Sequence, residues 1–302
     1  MRGLLVFNPH ARATEANVRD VIAAALASQM RLDVQQTEHP GHATQIAAAA
    51  VRDGVDVIFS HGGDGTLNEV IQPLAGTDVR LGMIPGGTTN VVVRNLGLPN
   101  DPIAATGALL ERLRSGSTRT IGLGRANGRY FAANAGVGFD AAVVRCVDGR
   151  PDLERAVGQL AWVWCALREF LVGYDRSALP ISVELPGDEP RAGFGFCIVC
   201  NTTPYAYLGA RPLRVAPDAS FDRGLDVVGV ESLRAATLLR LMVQMATTAG
   251  HVHASGTRYW RDLPGFSLHS DVALPVQLDG EYVGRWRDVT FTSVPRGLTV
   301  IA

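Results

Sequence analysis

VDVIFSHGGDGTLNEVIQPLAG, residues 55–76, decides the fold. VDVIFS (55–60) reads as a buried strand and TLNEVIQPLAG (66–76) as a helix. The connection between them is HGGDG, three glycines and an Asp in five positions. A parallel strand that turns straight into a helix ends at the edge where open α/β sheets bind ligands. Gly62, Gly63 and Gly65 allow positive φ and remove Cβ atoms that would block a ligand. The helix N-terminus adds N–H groups and the positive end of a dipole, both suited to phosphate. Asp64 stands where it could meet a metal ion or its water. Thr66 and Glu69 are spaced as a capping box, T-x-x-E, which would explain part of the pattern by helix initiation alone. It does not call for Gly-Gly-Asp-Gly before it.

The same alternation extends outward. LLVFN (4–8), LDVQQT (32–37) and VRLGMIPGG (79–87) read as further strands. Residues 15–29, with Val18, Val21, Ile22, Ala25 and Leu26 at helical spacing, read as a helix, as do HATQIAAAAVRDG (42–54) and DPIAATGALLERLRSG (101–116). Strands alternating with helices imply a parallel sheet covered on both faces. Beyond about residue 120 the pattern changes to short strands separated by turn signals, with helical candidates near 153–174 and 234–249. The expected organisation is an α/β domain over 1–120, rejoined by the last residues near 295–302, and an all-β, sandwich-like domain with inserted helices over 121–294.

The 302 residues carry 28 basic against 29 acidic side chains, a net charge of −1, which is no footprint of a nucleic-acid binder. The chain contains no lysine, so all its cations are Arg. That excludes the Walker P-loop, the protein-kinase ATP site and Schiff-base chemistry. A phosphate-handling site must then use backbone N–H groups, Arg and a metal. Four cysteines make no disulfide framework. Cys197 and Cys200, inside the apolar run FGFCIVCN, read as buried small hydrophobes. Neither a signal peptide nor a spanning helix is expected, which points to a soluble cytoplasmic protein.

A second turn strengthens the phosphate reading. IPGGTTN (84–90) follows another strand with a Gly pair, two Thr hydroxyls and an Asn. Two glycine turns at neighbouring strand ends can form opposite walls of one cradle. Asn8 and Thr37 close the first and second strands at the same edge.

GGDGTLNEV followed by PGGTTN, with FNP at the start and TEHPGHA between, resembles the diacylglycerol kinase catalytic-domain family, related to sphingosine and ceramide kinases. FAANAGVGFDA (131–141) and LDGE (278–281) resemble later segments of the same family, so the likeness spans the chain. The resemblance implies an NAD-kinase/phosphofructokinase-like first domain that binds ATP and Mg²⁺. The first nucleotide loop would be Asn8, Pro9, His10, Ala11 and Arg12, with Thr37 as a further contact. Gly62, Gly63, Asp64, Gly65, Thr66, Leu67, Asn68 and Glu69 would surround the phosphates, joined by Gly87 and Thr88. Asp64 would hold the metal, and Glu281 would be the base that takes the proton from a lipid hydroxyl. The implied reaction is phosphorylation of diacylglycerol to phosphatidic acid, a step of phospholipid metabolism, in a cleft between the domains. The protein would be cytoplasmic and peripherally membrane-associated, with a lipid as its partner; its oligomeric state, monomer or homodimer, stays open.

Three positions depart from the family. Its usual Asn-Pro-x-Ser-Gly is here Asn8-Pro9-His10-Ala11-Arg12. Val91 follows Asn90 where many members have Asp. Arg223 stands where some bacterial members bind a structural Mg²⁺ through an Asp, which leaves that ion absent unless Asp222 or the Arg itself replaces it. Without the family, Asp279-Gly280 is a hairpin turn and Glu281 a solvated residue beside it. GQLAWVWCALREFLVGY (158–174), with Leu160, Val163, Trp164, Leu167 and Leu171 on one stripe, reads equally as an interfacial helix or as one buried against the β-domain; LLRLMVQMA (238–246) offers the same two readings. Two alternatives to the lipid kinase are an NAD-kinase-like enzyme acting on a soluble substrate and a nucleotide-binding lipid sensor without turnover.

Overall fold

The computed structural model describes residues 1–11, 16–150, 152–153, 157–175 and 178–302. Near-continuous apolar runs make its first sheet. β1 (Arg2–Phe7), β3 (Val57–Gly62) and β4 (Arg80–Pro85) are buried along almost their whole length, as strands covered on both faces must be. β2 (Arg31–Gln36) is mostly exposed and forms the edge. All four pair in parallel in the order β2–β1–β3–β4. Phe7 stands opposite both Gln36 and His61, and His61 opposite Ile84, so the carboxyl ends of the strands finish at one level.

Five helices accompany this sheet: α1 (Ala16–Ala27), α2 (His42–Arg52), α3 (Asp64–Leu74), α4 (Val91–Asn95) and α5 (Pro102–Ser115). The sequence pattern announces all but α4, which is too short to show a period. α5 has its signals at both ends: the Asp101 carboxylate accepts the Ala104 N–H at 2.8 Å, Pro102 opens the helix, and Gly116 closes it at φ 71°. The last residues of the chain return to this sheet. Val300 lies parallel to Leu81, the Ile301 N–H donates to the Leu81 carbonyl at 2.9 Å, and the Gly76 N–H donates to the Gly297 carbonyl at 2.8 Å. The chain thus divides into two compact units, Met1–Leu123 with Pro295–Ala302, and Gly124–Val294.

The second unit is antiparallel. β5 (Arg119–Ala126) ends in a hairpin with β6 (Arg129–Phe131). The following strands are β7 (Asn134–Gly138), β8 (Ile181–Glu184), β9 (Arg191–Phe194), β10 (Phe196–Cys200), β11 (Ala206–Leu208), β12 (Arg211–Leu213), β13 (Leu225–Val230), β14 (Thr257–Leu263), β15 (Gly265–Leu278) and β16 (Glu281–Val300). They run in the order β14–β13–β10–β7–β15–β16, with the pair β9–β8 joined to the first half of β15. One face buries a core of Phe131, Phe194, Phe266 and Phe291 among Val, Leu and Ile. Cys197 and Cys200 are fully buried on β10, as their apolar setting implies, and burial pushes both thiols up.

Helices interrupt the strands, among them α6 (Phe139–Asp148), α7 (Gln159–Arg168), prolonged by one π-helical turn (Glu169–Gly173), and α8 (Ala235–Ala246). RYFAANAGVG (129–138) reads as a strand, and the structure ends β7 at Gly138 (φ 96°) but starts α6, which the sequence pattern does not announce, directly after it. A glycine-rich apolar segment carries neither period clearly enough to show that break. The cysteine count pointed to no disulfide framework, but Cys146 on α6 and Cys165 on α7 are bonded, with Cα atoms 5.7 Å apart. They lie 19 residues apart, and the packing of one helix on the other brings them together.

Candidate active site

The two glycine turns meet through their backbones. α3 begins at Asp64, two residues before the sequence pattern places it, and Gly63 is its N-cap. The helical ladder starts with the Leu67 N–H on the Gly63 carbonyl (3.1 Å). The N–H groups of Asp64, Gly65 and Thr66 therefore lie ahead of that ladder, at the positive end of the helix dipole. The Gly86 N–H donates to the Gly62 carbonyl at 2.8 Å, which ties the second turn to the first. A Cβ on Gly87 would stand 2.7 Å from the Cα of Gly63, and one on Gly62 would stand 2.7 Å from the Thr66 hydroxyl.

These contacts correct the expected role of the glycines. Gly62, Gly63, Gly65, Gly86 and Gly87 do not adopt positive φ; Gly63 sits at φ −86°. Gly87 has no room for a Cβ because the Gly63 backbone approaches it, and Gly62 has none because the Thr66 side chain does. The left-handed residue is Asn90 (φ 48°), which also locks the second turn: its Oδ1 accepts the Gly87 N–H at 3.0 Å and its Nδ2 donates to the Gly87 carbonyl at 2.9 Å. A recess at these strand ends is lined by Gly62, Gly63, Asp64, Leu67 and Asn90, among others.

The capping box does not form. No side chain caps α3. The Glu69 carboxylate instead accepts the Gly41 N–H (2.7 Å) and the Ala43 N–H (3.0 Å), so it serves the start of α2. Its spacing from Thr66 is that of a box, but a neighbouring helix offers the better-placed donors. The Thr66 hydroxyl accepts from the Asn8 side chain at 3.1 Å, which joins the first loop to α3.

The remaining expected residues fall at the same edge. The Asn8 N–H donates to the His61 carbonyl (3.0 Å), and its Oδ1 accepts the His10 N–H (2.9 Å), shaping the loop that continues through Pro9 and Ala11. The Thr37 N–H donates to the Phe7 carbonyl at 2.9 Å. Thr88 is partly exposed beside Gly87, whereas Leu67 and Asn68 turn their side chains inward. Arg12 lies outside the described residues.

In the second unit, Glu281 opens β16 directly after the turn Asp279-Gly280, and both turn residues have positive φ (51° and 83°). This is the hairpin that Asp-Gly announces. What the sequence did not reveal is its support. Asp279 is 7% exposed, and its carboxylate accepts the N–H groups of Ala132 (2.8 Å), Ala133 (2.7 Å) and Asn134 (3.1 Å). The Gly280 N–H donates to the fully buried Gln277 at 2.9 Å. Gln277 in turn donates to Asp140 (3.0 Å), which also accepts from the Tyr205 hydroxyl at 2.6 Å. Burial pushes the Asp140 carboxyl up against the opposing pull of those two bonds. Glu281 itself is exposed. A lone Gln on the apolar run PVQL was the available signal for this network.

At the third departure, Arg223 places a cation 3.4 Å from the Asp262 carboxylate, whose other oxygen accepts the Gly224 N–H at 2.7 Å. That N–H first, and Arg223 with it, hold Asp262 low. Asp222 is exposed, and among the described residues no three His, Cys, Asp or Glu side chains form a metal-holding group.

A phosphate-suited helix start in a parallel α/β unit, joined in one chain to an antiparallel β unit that presents a carboxylate, is the arrangement of a lipid kinase. The chain matches the diacylglycerol kinase catalytic domain over residues 2–126 and the YegS C-terminal NAD kinase beta sandwich-like domain over residues 133–302. A Bacillus subtilis diacylglycerol kinase is 31% identical over 81% of this chain and 77% of its own. A Staphylococcus saprophyticus diacylglycerol kinase is 29% identical over 94% of this chain and 90% of its own. Among solved structures, one from Bacillus anthracis superposes with a TM-score of 0.78 at 21% identity, covering 99% of this chain and 94% of that one, which shows the shared fold. The chain belongs to the diacylglycerol kinase catalytic-domain family.

Proposed function

We propose that the protein transfers the γ-phosphoryl group of ATP to a lipid hydroxyl, with diacylglycerol as the acceptor and phosphatidic acid as the product. The observation that carries this reading is the Gly63–Gly87 contact at the start of α3, where backbone N–H groups ahead of the helical ladder and the positive end of a helix dipole lie beside the recess. In a chain without lysine, these are the groups suited to a phosphate chain at this edge. Asn8 bonds Thr66, so the first loop is held against the same helix start.

Asp64 is the carboxylate suited to Mg²⁺ here, because that ion is commonly held by one or two carboxylates plus substrate phosphates rather than by an all-protein cage. The metal, when bound, neutralises charge on the transferring phosphoryl group. Glu281 orients the acceptor hydroxyl and takes its proton. Phosphoryl transfer demands positioning above all, and the buried support of the Asp279-Gly280 turn supplies a rigid base for Glu281. No helix among the described residues is long and apolar enough to cross a membrane.

The test is transfer of label from γ-labelled ATP with Mg²⁺ to a panel of diacylglycerol, sphingosine, ceramide, phosphatidylglycerol and NAD. Label is expected in diacylglycerol, with Asp64→Ala and Glu281→Gln each lowering kcat by about 100-fold or more. Label in NAD alone would overturn the lipid assignment. Retained ATP binding with no label in any acceptor would leave a sensor.

A further inference from the structure

The second unit exposes an apolar helix face. On α7 and its π turn, Leu160 (67%), Val163 (57%), Trp164 (46%), Leu167 (55%) and Leu171 (61%) are all exposed. Their spacing places them on one stripe. The opposite side is the packed one: Ala161 and Cys165 are buried, and Trp162 packs with Cys165 on Val143, Cys146 and Val147 of α6. The helix therefore has an inner apolar seam and a separate outer apolar face, so burial and interfacial character belong to different sides of one element.

The charges around this face select its occupant. Between residues 157 and 174 the only carboxylate is Glu169, which is 1% exposed and lies 2.5 Å from Arg168 and 3.7 Å from Arg145. The exposed charge on the helix is Arg168, and the Arg150 guanidinium sits over the Trp164 ring, 5.3 Å from its centre. The exposed acids Asp148, Asp152 and Asp175 lie on the flanking segments. α8 repeats the pattern. Leu239, Met242 and Val243 are more than half exposed, Arg234 and Arg240 are exposed beside them, and residues 232–250 contain no carboxylate. Its inner residues Leu238, Leu241 and Met245 share a core cluster with Tyr174, which follows the π turn.

A Trp and aliphatic face whose own exposed charge is Arg168, with Arg150 over its Trp and acids confined to the flanking segments, matches an anionic lipid surface: the side chains enter the headgroup boundary and the Arg side chains reach the phosphates. Pairing with a second copy through the same face would set like charges together. We propose that the outer face of α7 and its π turn, assisted by α8, docks the protein on an anionic lipid surface. The inference rests on the lipid-kinase proposal for its purpose, since a lipid acceptor must be met where it resides.

The test needs no turnover. The full chain is sedimented with phosphatidylcholine vesicles, with and without phosphatidylglycerol, in the absence of ATP. Binding is expected with phosphatidylglycerol, and the triple substitution Leu160→Ser/Val163→Ser/Leu167→Ser should lower partitioning by about 100-fold. The melting temperature should hold, because these side chains are exposed. Leu239→Ser/Met242→Ser should cost about tenfold. Failure of the wild type to bind phosphatidylglycerol vesicles, or undiminished binding by the triple variant, would overturn the proposal. So would a wild-type dimer in free solution that the same triple substitution dissolves. Vesicle binding lost on substitution supports the docking face whether or not label reaches a lipid. Absence of label in a dispersed short-chain diacylglycerol would sink the kinase proposal alone.

Discussion

Two turns, one in each unit, carry the candidate residues and are specified in opposite ways. The Gly63–Gly87 pair is defined by what is missing: ordinary φ values, no side chains, and a backbone contact that a single Cβ would push apart. The Asp279-Gly280 turn is defined by what is present: two positive φ values and a buried chain of polar groups running from Gly280 through Gln277 to Asp140 and Tyr205. A phosphate group needs N–H donors and room, so a bare backbone suffices. A carboxylate that must hold its position on an exposed strand end needs support from below. The first turn should accordingly be sensitive to bulk and the second to the loss of hydrogen-bond partners.

The largest stability effect is expected at Asp279. Asp279→Ala removes the acceptor of three backbone N–H groups, each in or beside the core, and should cost about 3 kcal/mol or more in denaturant unfolding. A loss under about 0.5 kcal/mol would mean that the turn does not depend on its carboxylate. Next comes Gly136→Ala, whose Cβ would be driven onto the Asp140 carboxylate and should cost about 2 kcal/mol. Gln277→Leu keeps the volume but strands the Gly280 N–H. The expected result is a kcat about tenfold lower with an unchanged KM for ATP, since Gln277 supports Glu281 and not the glycine turns. A rise in that KM would tie the two turns together and break the contrast.

The smallest effect concerns pH. His269 bonds Asp288 at 2.7 Å and Glu184 at 2.9 Å, and these partners, Asp288 foremost, raise its pKa. A group whose folded pKa is raised contributes stability that is complete below its unfolded value and lost as pH rises through the folded value. The wild type should therefore lose a little stability on passing upward through that window. His269→Gln should flatten the profile, by less than about 1 kcal/mol because the cluster is exposed. Equal slopes for both proteins would remove His269 from the explanation.

Much of the first unit was legible because its strands and long helices carry clean periods and its turns are marked by glycine. The strand ends Asn8, Thr37, Gly62 and Gly86 could be placed on one edge from the alternation alone. The rest depended on partners distant in sequence. Thr66 and Glu69 have capping-box spacing, but Glu69 finds its donors 26 and 28 residues away at the start of α2. The glycines suggested backbone freedom, whereas the deciding fact is a contact between Gly63 and Gly87 that no local pattern contains. α6 was hidden because β7 leads into it through small and apolar residues. Gln277 and Asp140, 137 residues apart, meet only through the pairing of β7 with β15.

The most direct measurement is equilibrium binding of ATP with Mg²⁺ to the wild type, Gly87→Ala and Gly63→Ala. A Cβ at Gly87 meets backbone at 2.7 Å, while one at Gly63 finds its nearest neighbour at 3.4 Å, an ordinary contact. If the paired turns seat the phosphates, the wild type binds ATP, Gly87→Ala weakens it by about tenfold or more, and Gly63→Ala stays within a few-fold of the wild type. Equal ATP affinity in all three proteins would place the nucleotide elsewhere.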